Sequence, residues 1–346
     1  MSVTAGAPFR RGAPSFLSWI PTGRGTTLTI YIVKRLLWMI PVLFFVIVIT
    51  FVLMHLAPGS PWDREGRQLS PQVVENLNIK YGLDKPLWQQ FLIYVWGVIH
   101  FDFGDSLRQP GQHVSDLILV SWPYTFTLGA VTFILLVPIG IGLGVIAALR
   151  QNSLVDYTAL GLATAAASTP NFVVGIFLII IFALGMNKLT GGTFYFPTGG
   201  MPSPFNPFQV ELIMPVITLG ALPTAYIARL TRSSTLDTLR QDFVRTAWAK
   251  GLKARLVVIR HVLKNSLIPV VTALGPTFAF LITGSFITET LFSIPGIGRT
   301  FVSSIAARDY TVILGTTILF ALLIALVNLV VDVLYVFIDP RVRLTE

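Results

Sequence analysis

Six stretches of this 346-residue chain stay apolar long enough to cross a lipid bilayer: Leu36 to Leu56, Tyr124 to Leu149, Tyr157 to Met186, Leu212 to Leu230, Leu267 to Ile287 and Ile313 to Ile338. A helix needs about 20 apolar residues for the crossing, and no span can leave backbone groups unpaired in lipid. The expected fold is therefore an all-α membrane protein with six transmembrane helices. Composition agrees, with 53% hydrophobic and only 12% charged residues, against roughly 25% charged in an average soluble domain. Such a balance cannot coat a soluble globule. Cysteine is absent, which removes disulfides, thiolate metal sites, iron–sulfur clusters and cysteine nucleophiles. The histidines, His55, His100, His113 and His261, are scattered without metalloprotease spacing, so no metal or cofactor is expected on this chain.

The formal charge of +9 raises nucleic acid as a partner, but in a chain this apolar the distribution of charge about the bilayer decides first. With the N-terminus inside, the internal segments hold 17 Lys and Arg and the external ones 8. The first external segment also carries Asp63, Glu65, Glu75, Asp84, Asp102, Asp105 and Asp116. The positive-inside rule thus predicts cytoplasmic N- and C-termini, and it accounts for the basicity without nucleic acid. Residues 1–35 form a cytoplasmic segment that leads into the first span, 36–56. That apolar run is too long for a signal peptide and no small-x-small cleavage site follows, so a retained anchor is expected. Residues 57–121 form an extended external region. Residues 122–340 form a five-helix core that includes an internal loop, 231–265, and residues 341–346 a cytoplasmic tail.

The external region has its own punctuation. Ser70 and Pro71 suit a helix start and Gly82 its stop. A second helix follows, with Asp84 as its cap and Trp88, Phe91, Leu92, Val95, Trp96 and Ile99 on one face, which suits the outer membrane interface or the flank of the bundle. The later external segment, Asn187 to Glu211, is dense in Gly and Pro and reads as a loop.

The internal loop is patterned. Leu236, Leu239, Phe243 and Ala247 predict an amphipathic helix over 235–249. Gly251 ends it, because glycine adopts positive φ at little cost. A second helix from about Lys253 to Leu263 then buries Leu256, Ile259 and Leu263, while Lys253, Arg255, Arg260 and Lys264 face elsewhere. A basic loop of this kind either hugs anionic lipid, at about 1 kcal/mol per cation, or docks a soluble partner.

Here the chain resembles a family. The stretches "DFVRTAWAKGL" (242–252) and "RHVLKNSLIPVV" (260–271) are similar to the permease subunits of binding-protein-dependent ABC importers, in the dipeptide/oligopeptide/nickel branch. The wider family reads Glu-Ala-Ala, three residues, Gly and a later Leu-Pro. This chain has Arg245, Thr246, Ala247 and Gly251, with Lys264 where the later Pro stands, which matches the branch's own variant. "LAPGSPWD" with "YGLDKPLWQQF", and "ETLFSIPGIGRTFVSSIAARDYTVILG" (289–315), resemble the same branch. The likeness covers roughly 30–343 and favours the first of the branch's two permeases, through the extended first external loop.

The resemblance implies a type I importer permease whose cytoplasmic loop supplies a coupling helix to an ATPase subunit, with Arg245, Thr246, Ala247, Gly251 and Leu252 as ATPase-coupling residues. It implies a homologous second permease, two ABC ATPase subunits or domains that bind ATP and Mg, an extracytoplasmic substrate-binding protein and a bacterial or archaeal inner membrane whose lipid surrounds the subunit. Peptides are the expected cargo, with nickel, glutathione or oligosaccharides as alternatives. ATP hydrolysis is assigned to the partners, since no Gly-Lys pair of a phosphate-binding loop occurs in the chain. Around "SIPGIG", Pro295, Gly296, Gly298 and the nearby Glu289 are candidates for an external gate or a binding-protein contact, beside the plainer reading of a turn.

Within the spans, Pro41, Pro138, Pro170, Pro215, Pro223, Pro269 and Pro276 read as kinks. The intramembrane polar candidates are Asn171, Asn328 and Asp332, with His55 at a span end. Asp332 either pairs with a basic residue of the same chain or meets substrate. A stand-alone secondary transporter or channel is disfavoured by the docking loop and the scarcity of intramembrane charge, and an intramembrane enzyme by the absence of GxSxG and HExxH motifs.

Overall fold

The computed structural model describes residues 24–62, 69–193, 196–284 and 286–338. Most of the N-terminal segment, the tail, Asp63 and Glu65 lie outside the described residues. Among the described residues, six helical spans are long and apolar enough to cross a membrane: Thr29–Leu56, Val114–Leu149, Asn171–Leu189, Val210–Leu239, Ala254–Ile282 and Tyr310–Val333. They belong to helices α1 (Arg24–Leu56), α4 (Val114–Leu149), α6 (Asn171–Leu178) with α7 (Met186–Leu189), α8 (Ile213–Leu239), α10 (Ala254–Leu256) with α11 (Lys264–Ile282), and α14 (Tyr310–Ile338). Between them lie α2 (Pro71–Tyr81), α3 (Leu87–Ile99), α5 (Leu154–Ser168), α9 (Asp242–Ala249), α12 (Phe286–Leu291) and α13 (Ile297–Ala307).

The third span differs from its expectation. The apolar run from Tyr157 is cut at Thr169 and Pro170, so α5 is a separate helix and the crossing begins at Asn171. The cause is local. Thr169 takes φ −97°, ψ 124°, the extended geometry that a following proline imposes on its neighbour, and Pro170 has no N–H to continue the ladder. Pro215, in the first turn of α8, removes no bond that a helix would otherwise make. Pro41, Pro123, Pro138, Pro223, Pro269 and Pro276 lie inside helices.

Helix α2 starts at Pro71 and stops at Gly82, whose φ is +69°. Helix α3 enters through Pro86, and Asp84 makes no cap bond, which corrects the expected start. Its expected stripe divides: Phe91, joined by Tyr94 from outside the stripe, packs on Phe51, Met54, Ile313 and Leu314, whereas Trp88, Leu92, Trp96 and Ile99 remain exposed.

Helix α4 lies along α8 over most of its length. Lipid tails are as apolar as leucine, so membrane helices associate by close packing at small residues rather than by leaving water. Gly140 and Gly144 of α4, four residues apart, meet α8 at backbone distance. A Cβ at Gly140 would lie 2.9 Å from the Thr224 carbonyl, and one at Gly144 2.6 Å from Thr231 Cβ. The reciprocal glycine of α8, Gly220, faces Thr132 and Leu136 of α4. Leu128, Met214, Leu219, Leu281, Phe292 and Ile294 close the core beside this seam.

Candidate functional site

At one end of the bundle α8 turns at Arg240 and Gln241 into α9, and the chain re-enters through α10 as the fifth span. Two expectations are corrected here. The helix expected over 235–249 is two helices, since α8 runs to Leu239 and a new helix begins at Asp242 behind Gln241 at φ −75°, ψ 148°. The second expected helix is the first part of the fifth span. Its buried residues are Val257 and Val262, while Leu256 and Ile259 are exposed. The reason is a π-helical segment over Val257–Leu263, whose i→i+5 bonding brings residues five apart onto one face. A 3.6-residue period cannot anticipate that face.

Four residues, Val244, Ala247, Val257 and Val262, form a small core under α9, with Leu239 and Leu252 packed against it. The helix ends in a double hydrogen bond: Gly251 N–H donates to the Trp248 carbonyl at 2.9 Å and Leu252 N–H to the Ala247 carbonyl at 3.4 Å. Gly251 sits at φ +74°. This is the Schellman stop, with Leu252 supplying its apolar contact. Of the expected coupling residues, Arg245 and Thr246 face outward, Gly251 makes the turn, and Ala247 and Leu252 face the chain's own core. Arg245 meets Asp242 at 3.6 Å with both side chains largely exposed, a pairing that contributes little. Phe243 and Trp248 also face outward. The sequence pattern put Phe243 on the apolar face with Ala247 and passed over Trp248, although an aromatic beside an arginine on an exposed helix is the usual composition of an interface anchor.

At the opposite end α12 and α13 form a compact unit between the fifth and sixth spans. Glu289 of α12 is wholly buried. Its carboxylate accepts from Thr125 Oγ1 of α4 at 2.9 Å and from Arg299 N–H at 3.0 Å. Ile297 N–H donates to Thr125 Oγ1 at 2.9 Å. The carboxylate thus caps the N-terminus of α13 from another helix, where the helix dipole favours an anion. Gly296 and Gly298 make room for it: a Cβ at either would lie 2.5 or 2.9 Å from Oε2. Pro295 is exposed at the turn before them. The "SIPGIG" element therefore wraps a buried carboxylate.

Beyond α13, the buried carboxylate of Asp309 accepts from Ser106 Oγ at 2.5 Å, Leu107 N–H at 3.1 Å and Thr311 Oγ1 at 3.0 Å. It clasps Ser106 and Leu107 to the start of α14. The sequence carried no sign of this, because the partners stand some 200 positions apart.

Burial pushes the Glu289 carboxyl up to about 7, against the opposing pull of the Arg299 and Gly298 amides and the Thr125 hydroxyl. Among the described residues no cation pairs with it. The folded protein therefore retains a proton that the unfolded chain releases above about 4.5. The stabilising contribution is complete below about pH 4.5 and is lost as pH rises through about 7, by about 3 kcal/mol in all. Thermal unfolding in detergent is expected to soften between about pH 5 and 8, and Glu289→Gln to flatten that slope. An equal slope in both proteins would exclude Glu289 as the source.

The remaining candidates are dispersed. Asp332 accepts from Tyr31 Oη at 3.0 Å and pairs with Arg35 at 2.8 Å, the within-chain alternative left open above. Asn328 lines a cavity of about 320 Å³ between α1 and α14 with Arg35, Trp38 and Met39. Asn171 is half-buried at the first turn of α6, and His55 Nδ1–H donates to the Phe51 carbonyl at 2.8 Å.

A buried ion pair stands two turns before the end of α8. Asp156, at the start of α5, is buried and takes a bidentate contact from Arg232 of α8, Nε to Oδ1 at 2.5 Å and Nη2 to Oδ2 at 2.7 Å. Asn152 N–H adds a bond at 3.0 Å. The Arg232 hydrogen bonds hold the Asp156 carboxyl below its usual range despite burial.

The family described as "Binding-protein-dependent transport system inner membrane component" matches residues 140–344, and the one described as "Binding-prot-dependent transport system membrane comp, N-term" matches residues 28–129. The chain is similar to the dipeptide transport system permease protein DppB of Bacillus subtilis strain 168, 41% identical over 314 residues, covering 91% of this chain and 98% of that one. It is similar to the oligopeptide transport system permease protein OppB of Escherichia coli K12, 43% identical over 313 residues, covering 90% and 99%. With DppB of the same strain the identity is 38% over 334 residues, covering 90% and 98%.

Proposed function

The chain belongs to the binding-protein-dependent transport system inner membrane components, multi-pass permease subunits rather than enzymes, and from that membership we propose that it forms half of the pathway of an ATP-driven peptide importer. The observation that carries the mechanism is α9: a short helix, seated on its own four-residue core and stopped by Gly251, that presents Phe243, Arg245, Thr246 and Trp248 outward. Such a helix is a lever for a soluble partner. In this reading the α9 end is cytoplasmic, as are both termini, and the helix docks on one of two ABC ATPase subunits or domains, which bind ATP and Mg. A homologous second permease completes the pathway, and a binding protein delivers substrate at the Glu289 end. Peptide cargo is supported by the dipeptide and oligopeptide names of relatives aligned over nine-tenths of the chain.

The α12–α13 unit is the external gate in this reading. Its buried carboxylate joins α4, α12 and α13, so parting any two of them exposes or strands the charge.

The test is reconstitution. The tagged chain, co-expressed with a second permease, ATPase subunits and binding protein, is expected to purify as one assembly and, in liposomes, to accumulate labelled di- and oligopeptides only with internal-face ATP and binding protein. Accumulation of nickel or oligosaccharide instead would replace the cargo. Uptake by this chain alone, driven by an ion gradient, would overturn the importer reading.

A further inference from the structure

We propose that Asp156 and Arg232 are a positioning pair that sets the angle of the α8–α9 lever and so determines how much substrate moves for each ATP hydrolysed; this rests on the coupling reading of α9. Arg232 stands two turns before the end of α8, and α9 begins only three residues after that end. Whatever fixes α8 at Arg232 therefore fixes the base of the lever. The fixing is strong: a bidentate Arg–carboxylate contact has defined direction as well as attraction, with Asp156 1% and Arg232 20% exposed in their side chains. Asn152 N–H occupies the same carboxylate from the α4–α5 turn, so three elements meet on one group. The next anchor, Ser234 Oγ donating to the Ser266 carbonyl at 2.7 Å, ties α8 to α11 just beyond the re-entry of the loop. Both strands of the lever are thereby held within a few residues of each other.

The surroundings indicate a joint rather than a fixed weld. Thr231 and Thr235, which flank Arg232 on α8, are fully buried, and their hydroxyls have no hydrogen-bond partner among the described residues. A buried threonine in a helix ordinarily donates to the carbonyl one turn back, as Thr238 does to Ser234 at 2.8 Å. Two adjacent turns of unused hydrogen-bonding capacity, beside a fully used ion pair, fit a helix end that has a second arrangement in which those hydroxyls are paired.

Two variants separate positioning from stability. Arg232→Lys keeps the charge but loses the planar fork. The double variant Asp156→Asn with Arg232→Gln removes both charges and leaves no orphan ion. Each is assembled into the full complex with its ATPase subunits and binding protein, and three quantities are read: amount assembled, ATP hydrolysis with and without loaded binding protein, and peptide imported per ATP. The expected result is near-parental assembly and basal hydrolysis, with peptide imported per ATP reduced at least about fivefold, an effective coupling loss of about 1 kcal/mol. A parental ratio in both variants overturns the proposal. So does loss of assembly in both with a normal ratio in the complex that remains, which would make the pair a fold anchor. Failure of the coupling reading itself looks different, since the parental complex would then show no hydrolysis responsive to binding protein.

Discussion

Replacing Gly251 with proline abolishes ATP-driven uptake while leaving the protein in the membrane at normal abundance. Two losses coincide at this position. Proline fixes φ near −65°, whereas Gly251 sits at +74°, and it removes the N–H that bonds the Trp248 carbonyl. The combined cost of about 3 kcal/mol or more falls on the stop of α9 and not on any span, so insertion is spared. A penalty of that size shifts the direction of the lever by about two orders of magnitude in population. Gly251→Val acts in the same sense, since a β-branched residue at positive φ is a strong outlier. Space is not the issue, because a Cβ there meets nothing within 4 Å. Gly251→Asn, whose residue tolerates the left-handed region, is therefore expected to keep most transport. Uptake and substrate-stimulated ATP hydrolysis in reconstituted vesicles measure all three, and normal uptake in the proline variant would end the lever interpretation.

Reversing the charge at Glu289 disables the other end. Glu289→Lys places an ammonium in a site built from donors: the Thr125 hydroxyl and the Arg299 amide at the N-terminus of α13. Both donors lose their acceptor, the helix dipole turns repulsive, and an unpaired buried charge costs about 3–5 kcal/mol. The side chain escapes only by prising α12 and α13 from α4. The expected outcome is a lowered unfolding temperature, loss of binding-protein-stimulated hydrolysis and at least about a hundredfold loss of uptake, in line with that energy. Glu289→Gln, which keeps shape and most acceptor capacity, retains the greater part of both activities. An intact stimulated ATPase in the lysine variant would remove this site from the gate.

What sequence could show depended on whether the information was local. The spans were legible because bilayer thickness is a fixed length and hydropathy reads it directly. Gly82 and Gly251 were legible because positive φ at a helix stop selects glycine at that very position. The break at Thr169 was signalled by the proline after it, and a hydropathy run that ignored the residue before proline joined two helices into one. The Gly140–Gly144 spacing was likewise a visible sign of close helix packing. By contrast, the buried face of residues 257–262 depended on a change of helical period that side chains do not announce. Glu289 with Thr125, separated by 164 positions, and Asp156 with Arg232, separated by 76, are brought together only by the tertiary fold.

The backbone-to-backbone seam between α4 and α8 bears on how the two ends communicate. Helices held that closely, with Gly140 and Gly144 against the α8 backbone and Gly220 filled by the Leu136 and Thr132 side chains, have little freedom to slide and behave as one stiff beam. At one end of the beam α8 carries α9; at the other α4 carries Thr125, the hydroxyl that holds Glu289. A beam pivoting within the bilayer moves its ends in opposite senses, as a seesaw does. Closing the gap at the lever and opening it at the carboxylate are then one rotation, with no relay of side chains required between them.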